Sequence, residues 1–224
     1  MLTQLPFYQQ AILTLSAMIL FTSFALLAQS RVVSIIHAFA WQGAMVALTT
    51  ALVAYDTGLH HLYISAFLTL ALKALFIPWL LHRLIRRLGL IRELHTVEHP
   101  VMTMMIATSL VIFCYYVAQP IEQFSETITR NTIAISMSVI LLGMLMLISR
   151  NKAVSQVVGF MSLENGLFFA AISATNGMPM VVELGIAFDV LIAAVIFGVF
   201  FFHIRDSFDS LDVSQFHRLS ESDE

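Results

Sequence analysis

Residues Val154 to Ala174 read VSQVVGFMSLENGLFFAAISA, a stretch without Lys, Arg or Asp in which one carboxylate, Glu164, stands near the middle. About 20 mainly apolar residues suffice for a helix to cross a hydrocarbon layer of roughly 30 Å. The segment therefore reads as a transmembrane helix with an ionisable group halfway across the bilayer. Working outward, similar windows run from Phe7 to Ala28, Val33 to Ala54, His61 to Leu81, Val101 to Ala118, Thr132 to Ile148 and Pro179 to His203. The breaks between them carry the turn and polar residues: Gln29-Ser30-Arg31, Asp56-Thr57-Gly58, an Arg-rich stretch ending at Pro100, Pro120 to Arg130, Ser149 to Lys152, and Thr175-Asn176-Gly177. Seven spans account for roughly two-thirds of the chain at about 20 residues each. The expected fold is an all-α integral membrane protein with about seven transmembrane helices.

Composition agrees. Of 224 residues, 59% are hydrophobic and 11% charged, whereas a soluble domain carries about 25% charged residues. Little chain is left for a soluble catalytic domain. A net charge of −3 lacks the basic footprint that nucleic acid requires. The single cysteine, Cys114, excludes a disulfide scaffold and a Cys-based metal site. A phosphate loop, a zincin histidine pair and a cysteine set for an iron–sulfur cluster are all missing, so no catalytic residue, metal or cofactor is expected. No cation precedes Arg31, and a secretory signal needs one before its apolar run. The N-terminal stretch is expected to be a retained span.

Cations in short loops stay on the cytoplasmic side. In a seven-span arrangement Arg31, Arg83, Arg86, Arg87, Arg92, Arg150, Lys152, Arg205 and Arg218 share one side, Arg130 lies on the other, and Lys73 is inside a span. This predicts a multi-pass protein of a bacterial or archaeal cytoplasmic membrane, with its N-terminus outside and its C-terminus in the cytoplasm. Tyr8, Tyr55, Tyr63 and Trp79 fall near span ends, where amphipathic aromatics sit. From His82 to His95, Leu84, Leu88 and Ile91 alternate with arginines, as in an amphipathic helix on the inner surface or an extension of the third span. The acidic tail from Asp206 is either solvated or docked on a neighbour.

A weak repeat of roughly 120 residues is visible. The second span follows Ser30-Arg31 and contains His37-Ala-Phe-Ala-Trp-Gln42-Gly43; the sixth follows Ser149-Arg150 and contains Gly159 to Gly166. The next helix in each case holds one charge, Lys73 or Asp189. The reading is two parallel three-helix units joined by a linking helix that restores their common orientation. The expected divisions are residues 1–100 with a basic loop, 101–130 for the link, 131–204 for the second unit, and 205–224 for the tail.

Lys73, Glu164 and Asp189 together would cost on the order of 8–10 kcal/mol facing lipid alone, so they are expected to face protein or water. Acids and bases at such depth are the parts of a proton relay. Ser155, Gly159, Ser162, Gly166, Ala170 and Ser173 form a small-residue stripe suited to close packing, and Glu164 points away from it. Gly185 and Asp189 share a face of the last span. Glu183 is either a proton uptake point or a wet side chain near the outer surface. His37 lies one turn from Trp41 and is expected to be a packing residue, and Gln42 a supporting one. The adjacent His60-His61 pair cannot share a helix face, which disfavours a metal.

The strings Gly159-Phe-Met-Ser-Leu-Glu164-Asn165-Gly166 and Val182-Glu183-Leu-Gly185-Ile-Ala-Phe-Asp189, with Leu211-Asp212-Val213, resemble the hydrogenase-4 component E family. Its members are membrane subunits of formate hydrogenlyase-type and related respiratory complexes. The last three spans are also similar to the K-type subunit of respiratory complex I and its counterpart in multisubunit cation/proton antiporters. Those subunits carry two intramembrane glutamates in proton translocation. By this resemblance Glu164 matches the first and Asp189, one methylene shorter, the second. Gln42 stands where the first unit would need its acid and cannot ionise. The resemblance implies a non-catalytic subunit partnered by larger antiporter-like subunits and hydrogenase modules, with Glu164 and Asp189 as proton carriers; the residues themselves add Lys73 as an electrostatic modulator and Glu183 to the groups expected in proton transfer. The alternatives are a scaffold that moves nothing and a seven-helix receptor or retinal protein, disfavoured because a Schiff-base lysine would be wanted in the last span and Lys73 is in the third.

Overall fold

The computed structural model describes residues 7–87, 100–119 and 127–175, with 185, 187, 189–196 and 198; for 87, 127–131 and 173–175 it describes the backbone only. Helices α1 (Phe7–Ala28), α2 (Val32–Thr57), α3 (His60–Thr69), α4 (Ile77–Arg87), α5 (Pro100–Ala118), α6 (Thr127–Ser149) and α7 (Ala153–Thr175) follow one another, and a π-helical segment, Leu70–Phe76, joins α3 to α4 without a break. The described residues of 185–198 are helical as well. Among the described residues five helices are long and apolar enough to span a bilayer: α1, α2, the continuous His60–Arg86 rod, α5 and the Thr132–Ser149 part of α6. This is an all-α membrane protein. α7 is no shorter than α6, but Gln156, Glu164 and Asn165 reduce its apolar character.

Why these residues form a bundle is visible helix by helix. α1 buries Ile12, Ser16, Ile19, Ser23 and Leu26, alternating four- and three-residue steps that keep one seam inward. Its serines donate to the carbonyls of Ile12 and Ile19, at 2.6 and 3.0 Å, so no hydroxyl is left unsatisfied in hydrocarbon. α2 is buried along most of its length, from Val32 and Ile35 through Phe39 and Gln42 to Val53, because α1, α3 and α7 all pack on it. Its end is set by Gly58 at φ 68°, whose N–H caps the Ala54 carbonyl at 3.0 Å. That left-handed conformation suits glycine.

α6 and α7 form the tightest pair. The small-residue stripe of α7 and Gly143 of α6 are the reason: a Cβ on Gly143 would lie 2.5 Å from the Leu163 nitrogen, one on Gly159 3.1 Å from the Leu147 nitrogen, and one on Gly166 2.9 Å from the Ile140 nitrogen. α5 is the loosest helix, buried only at Ala107, Cys114 and Ala118. The third span runs on through His82 to Arg87, with Leu84 and Ile85 buried, so this part of the basic segment extends the span; Leu88 to His95 lie outside the described residues.

Two apolar clusters fill the interior. One gathers Leu26, Val32, Ile35, Phe39, Leu81, Ile85, Met146, Val158 and Met161; the other gathers Ile12, Ile19, Val46, Val53, Val139, Phe168 and Ile172. On α2 the first ends at Phe39 and the second begins at Val46; on α7 the boundary falls between Met161 and Phe168. The layer between them is polar.

Candidate functional site: a buried lysine between two carboxylates

Three helical segments place one ionisable group each in that layer. The ammonium of Lys73 lies 2.9 Å from Glu164 Oε1 and 3.4 Å from Asp189 Oδ1. Lys73 is 1%, Glu164 5% and Asp189 1% exposed. The lysine therefore cannot snorkel to the surface, and its charge is balanced locally or not at all. Nζ also stands 5.4 Å from the centre of the Phe168 ring, one helical turn after Glu164 on α7. The ring presents its electron-rich face to the cation.

The backbone makes room for this arrangement. Lys73 is the fourth residue of the π segment, and such widened turns occur frequently at functional sites. Opposite it on α2 is Gly43, where a Cβ would come within 3.0 Å of Lys73 Cβ and 3.2 Å of its carbonyl carbon. Gly185 plays the same part in the last helical stretch: a Cβ there would sit 3.0 Å from the Phe168 ring and 3.8 Å from Glu164 Oε1. Close approach of these two backbones brings the charges within contact distance.

A second, uncharged network lies beside the first. Asn165 Nδ2 donates to Gln42 Oε1 at 3.2 Å, and Gln42 Nε2 donates to Ser23 Oγ at 2.8 Å. All three residues are buried, and the chain links α7 through α2 to α1. Gln42 thus supports α7 one residue away from Glu164.

Of the residues singled out from the sequence, Lys73, Glu164 and Asp189 meet, Gly185 lines them, and Gln42 adjoins them. Gly159 and Gly166 face α6 instead, on the other side of α7 from Glu164. His37 is exposed, its Nδ1 2.7 Å from the Val33 carbonyl and its ring edge-on to His82 at 5.8 Å, while Trp41 is 66% exposed. The ring contact of His37 therefore comes from His82 of the third span, and its hydrogen bond from Val33 of its own helix. Glu183 and Leu211-Asp212-Val213 lie outside the described residues. Sequence reasoning did not single out Ser23, Asn165 and Phe168. Asn165 beside an intramembrane acid was the available signal; a serine or phenylalanine among so many carried none.

Comparison with known proteins finds distant relatives. Hydrogenase-4 component E of Escherichia coli K12 is 27% identical over 150 residues, covering 67% of this chain and 68% of that protein, and the Shigella flexneri protein of the same name matches equally. The chain is thus a distant homologue of hydrogenase-4 component E over two thirds of its length. The uncharacterized protein Rv0085 of Mycobacterium tuberculosis is 30% identical over 189 residues, 84% of this chain and 86% of that one. No family model matches the chain, and no solved structure matches it. Among the described residues the charges placed midway along the spans are also the ones in mutual contact.

Proposed function

We propose that the protein is a non-catalytic subunit of a hydrogenase-4-type or antiporter-like membrane complex, in which Lys73, Glu164 and Asp189 take part in moving protons through the membrane arm. The observation that carries this reading is the position of the Lys73 ammonium within ion-pair distance of two carboxylates, all three in the middle of the bundle. One cation against two acids gives a net charge of −1 if all three ionise, and burying an unbalanced charge is expensive. Electroneutrality is reached with one added proton held among the acids. A proton so held, on either of two oxygens that share one ammonium, is the unit a relay passes along. Redox chemistry belongs, in this reading, to partner subunits carrying metal clusters; larger antiporter-like subunits receive the proton. Glu183 stands as the outer uptake point, the two three-helix units as halves of one parallel repeat, and the cation-rich ends as the cytoplasmic side.

The test is Glu164→Gln in the complete complex. The variant is expected to assemble and retain redox turnover at its cluster-bearing subunits while coupled proton movement falls. Undiminished proton movement in an assembled Glu164→Gln complex removes Glu164 from the mechanism. A scaffold reading draws support from the close α6–α7 packing and the Asn165–Gln42–Ser23 chain. It requires substitutions at Glu164 and Asp189 to act solely through loss of assembly.

A further inference from the structure

One face of α4 takes no part in the triad. Trp79, His82, Arg83 and Arg86 recur at i, i+3, i+4 and i+7 and so share a stripe, whereas Ile77, Leu80, Leu81, Leu84 and Ile85 behind them are buried. Arg83 and Arg86 are exposed. The Arg83 guanidinium stands 5.4 Å over the Trp79 ring, and Trp79 stacks on Phe76 with ring centres 6.3 Å apart. Trp79, Phe76 and Leu75 are 55%, 43% and 65% exposed. His37 of α2 meets His82 edge-on. Its Nδ1 faces the Val33 carbonyl at 2.7 Å, and since a carbonyl only accepts, Nδ1 donates there. The ion pairs seen at described carboxylates are those of Lys73, and no described carboxylate pairs with Arg83 or Arg86.

We propose that this stripe is a binding site for an anionic phospholipid, with Arg83 and Arg86 on the headgroup phosphate, the His37–His82 pair beside it, and Trp79, Phe76 and Leu75 along the first part of an acyl chain. The order of chemistry along the helix carries the inference. From Phe76 to Arg86 the axis rises about 15 Å, passing from bare apolar side chains through an interfacial tryptophan to uncompensated arginines, which is the sequence of environments along one phospholipid. A soluble phosphate would use only the cationic end and leave the exposed aromatic half unexplained.

The test uses the full chain in detergent, followed by native mass spectrometry with phosphatidylglycerol and phosphatidylcholine of identical acyl chains. Phosphatidylglycerol is expected to be retained about tenfold better. Arg83→Gln/Arg86→Gln removes that preference, whereas Arg31→Gln/Lys152→Gln, which deletes two exposed cations elsewhere, keeps it. Equal retention of the two lipids overturns the proposal. So does a preference that survives in Arg83→Gln/Arg86→Gln, or one lost equally in both double variants. Millimolar inorganic phosphate that abolishes phosphatidylglycerol retention marks a soluble-anion site and also overturns it. Should Arg83→Gln/Arg86→Gln misfold, Trp41→Phe leaves Trp79 as the sole tryptophan; acyl-brominated phosphatidylglycerol is then expected to quench it more than brominated phosphatidylcholine at equal mole fraction, and equal quenching rejects the site.

Discussion

Lys73 is the residue on which the buried charges depend. Glu164 and Asp189 both lie within ion-pair distance of its ammonium and come from different helical segments, so its removal leaves two acids facing each other without a cation. Breaking a buried pair by deleting one partner costs about 3–5 kcal/mol. Lys73→Met is accordingly expected to lower the thermal midpoint of the purified protein markedly. Lys73→Met/Glu164→Gln is expected to recover part of the loss, because one uncompensated acid has also gone. Thermal unfolding of the two single variants and the double variant measures the coupling; strictly additive losses would show that the two side chains do not act as a pair. Lys73→Arg is not conservative here. Its planar fork is longer and wider than an ammonium, and Gly43 lies against the backbone of the same residue.

At the scale of elements, the glycines divide by what faces them. Gly143 admits no side chain, since its Cβ would meet the Leu163 backbone at 2.5 Å. Gly143→Ala should separate α6 from α7 and destabilise by about 1–3 kcal/mol, seen as a lower midpoint and loss of monodispersity in detergent. Gly198→Ala, whose Cβ would meet nothing within 4 Å, serves as the control and should be neutral or slightly stabilising. Gly43→Ala is the informative intermediate. Its Cβ would press on Lys73 at 3.0–3.2 Å, displacing the π segment rather than the bundle, so proton movement in the assembled complex is expected to fall further than stability does. Equal falls in both would reduce Gly43 to ordinary packing.

Across the whole molecule, Arg150 ties the α6–α7 turn to the end of α1. It is 4% exposed, and its guanidinium donates to the carbonyls of Leu27 and Gln29, at 2.8 and 2.7 Å, while Gln156 Nε2 holds its own carbonyl at 2.9 Å. Leu27 and Gln29 lie at the end of α1, so a side chain from the α6–α7 turn satisfies carbonyls that the first helix leaves open. Burial draws the guanidinium below its ordinary value through desolvation, yet an arginine remains charged at physiological pH. Arg150→Met should cost about 1.5–3 kcal/mol for the charged hydrogen bonds and speed amide exchange at residues 29–31. Unchanged exchange there would mean that the α1–α2 turn is held by other contacts.

Legibility followed the same scales. That the chain crosses a membrane many times was determined by composition and by the length of its apolar windows, because hydrocarbon accepts only helices whose backbone bonds are internal. The depth of Lys73, Glu164 and Asp189 was likewise readable from their distance to the nearest span ends, and the likeness to hydrogenase-4 component E from the strings around Glu164 and Asp189. The small-residue stripe of α7 announced a close helix contact, which proved to be α6. Which residues meet was decided only by tertiary structure. Lys73 lies 91 positions from Glu164 and 116 from Asp189, and no periodicity along one helix encodes the rotation of three helices about one another. The same holds for Asn165 with Gln42 and for His37 with His82, and the π turn that carries Lys73 has no signature in an apolar run. Burial depth is a property of a segment and can be read from it; a contact between segments depends on how their faces are turned, which packing alone selects.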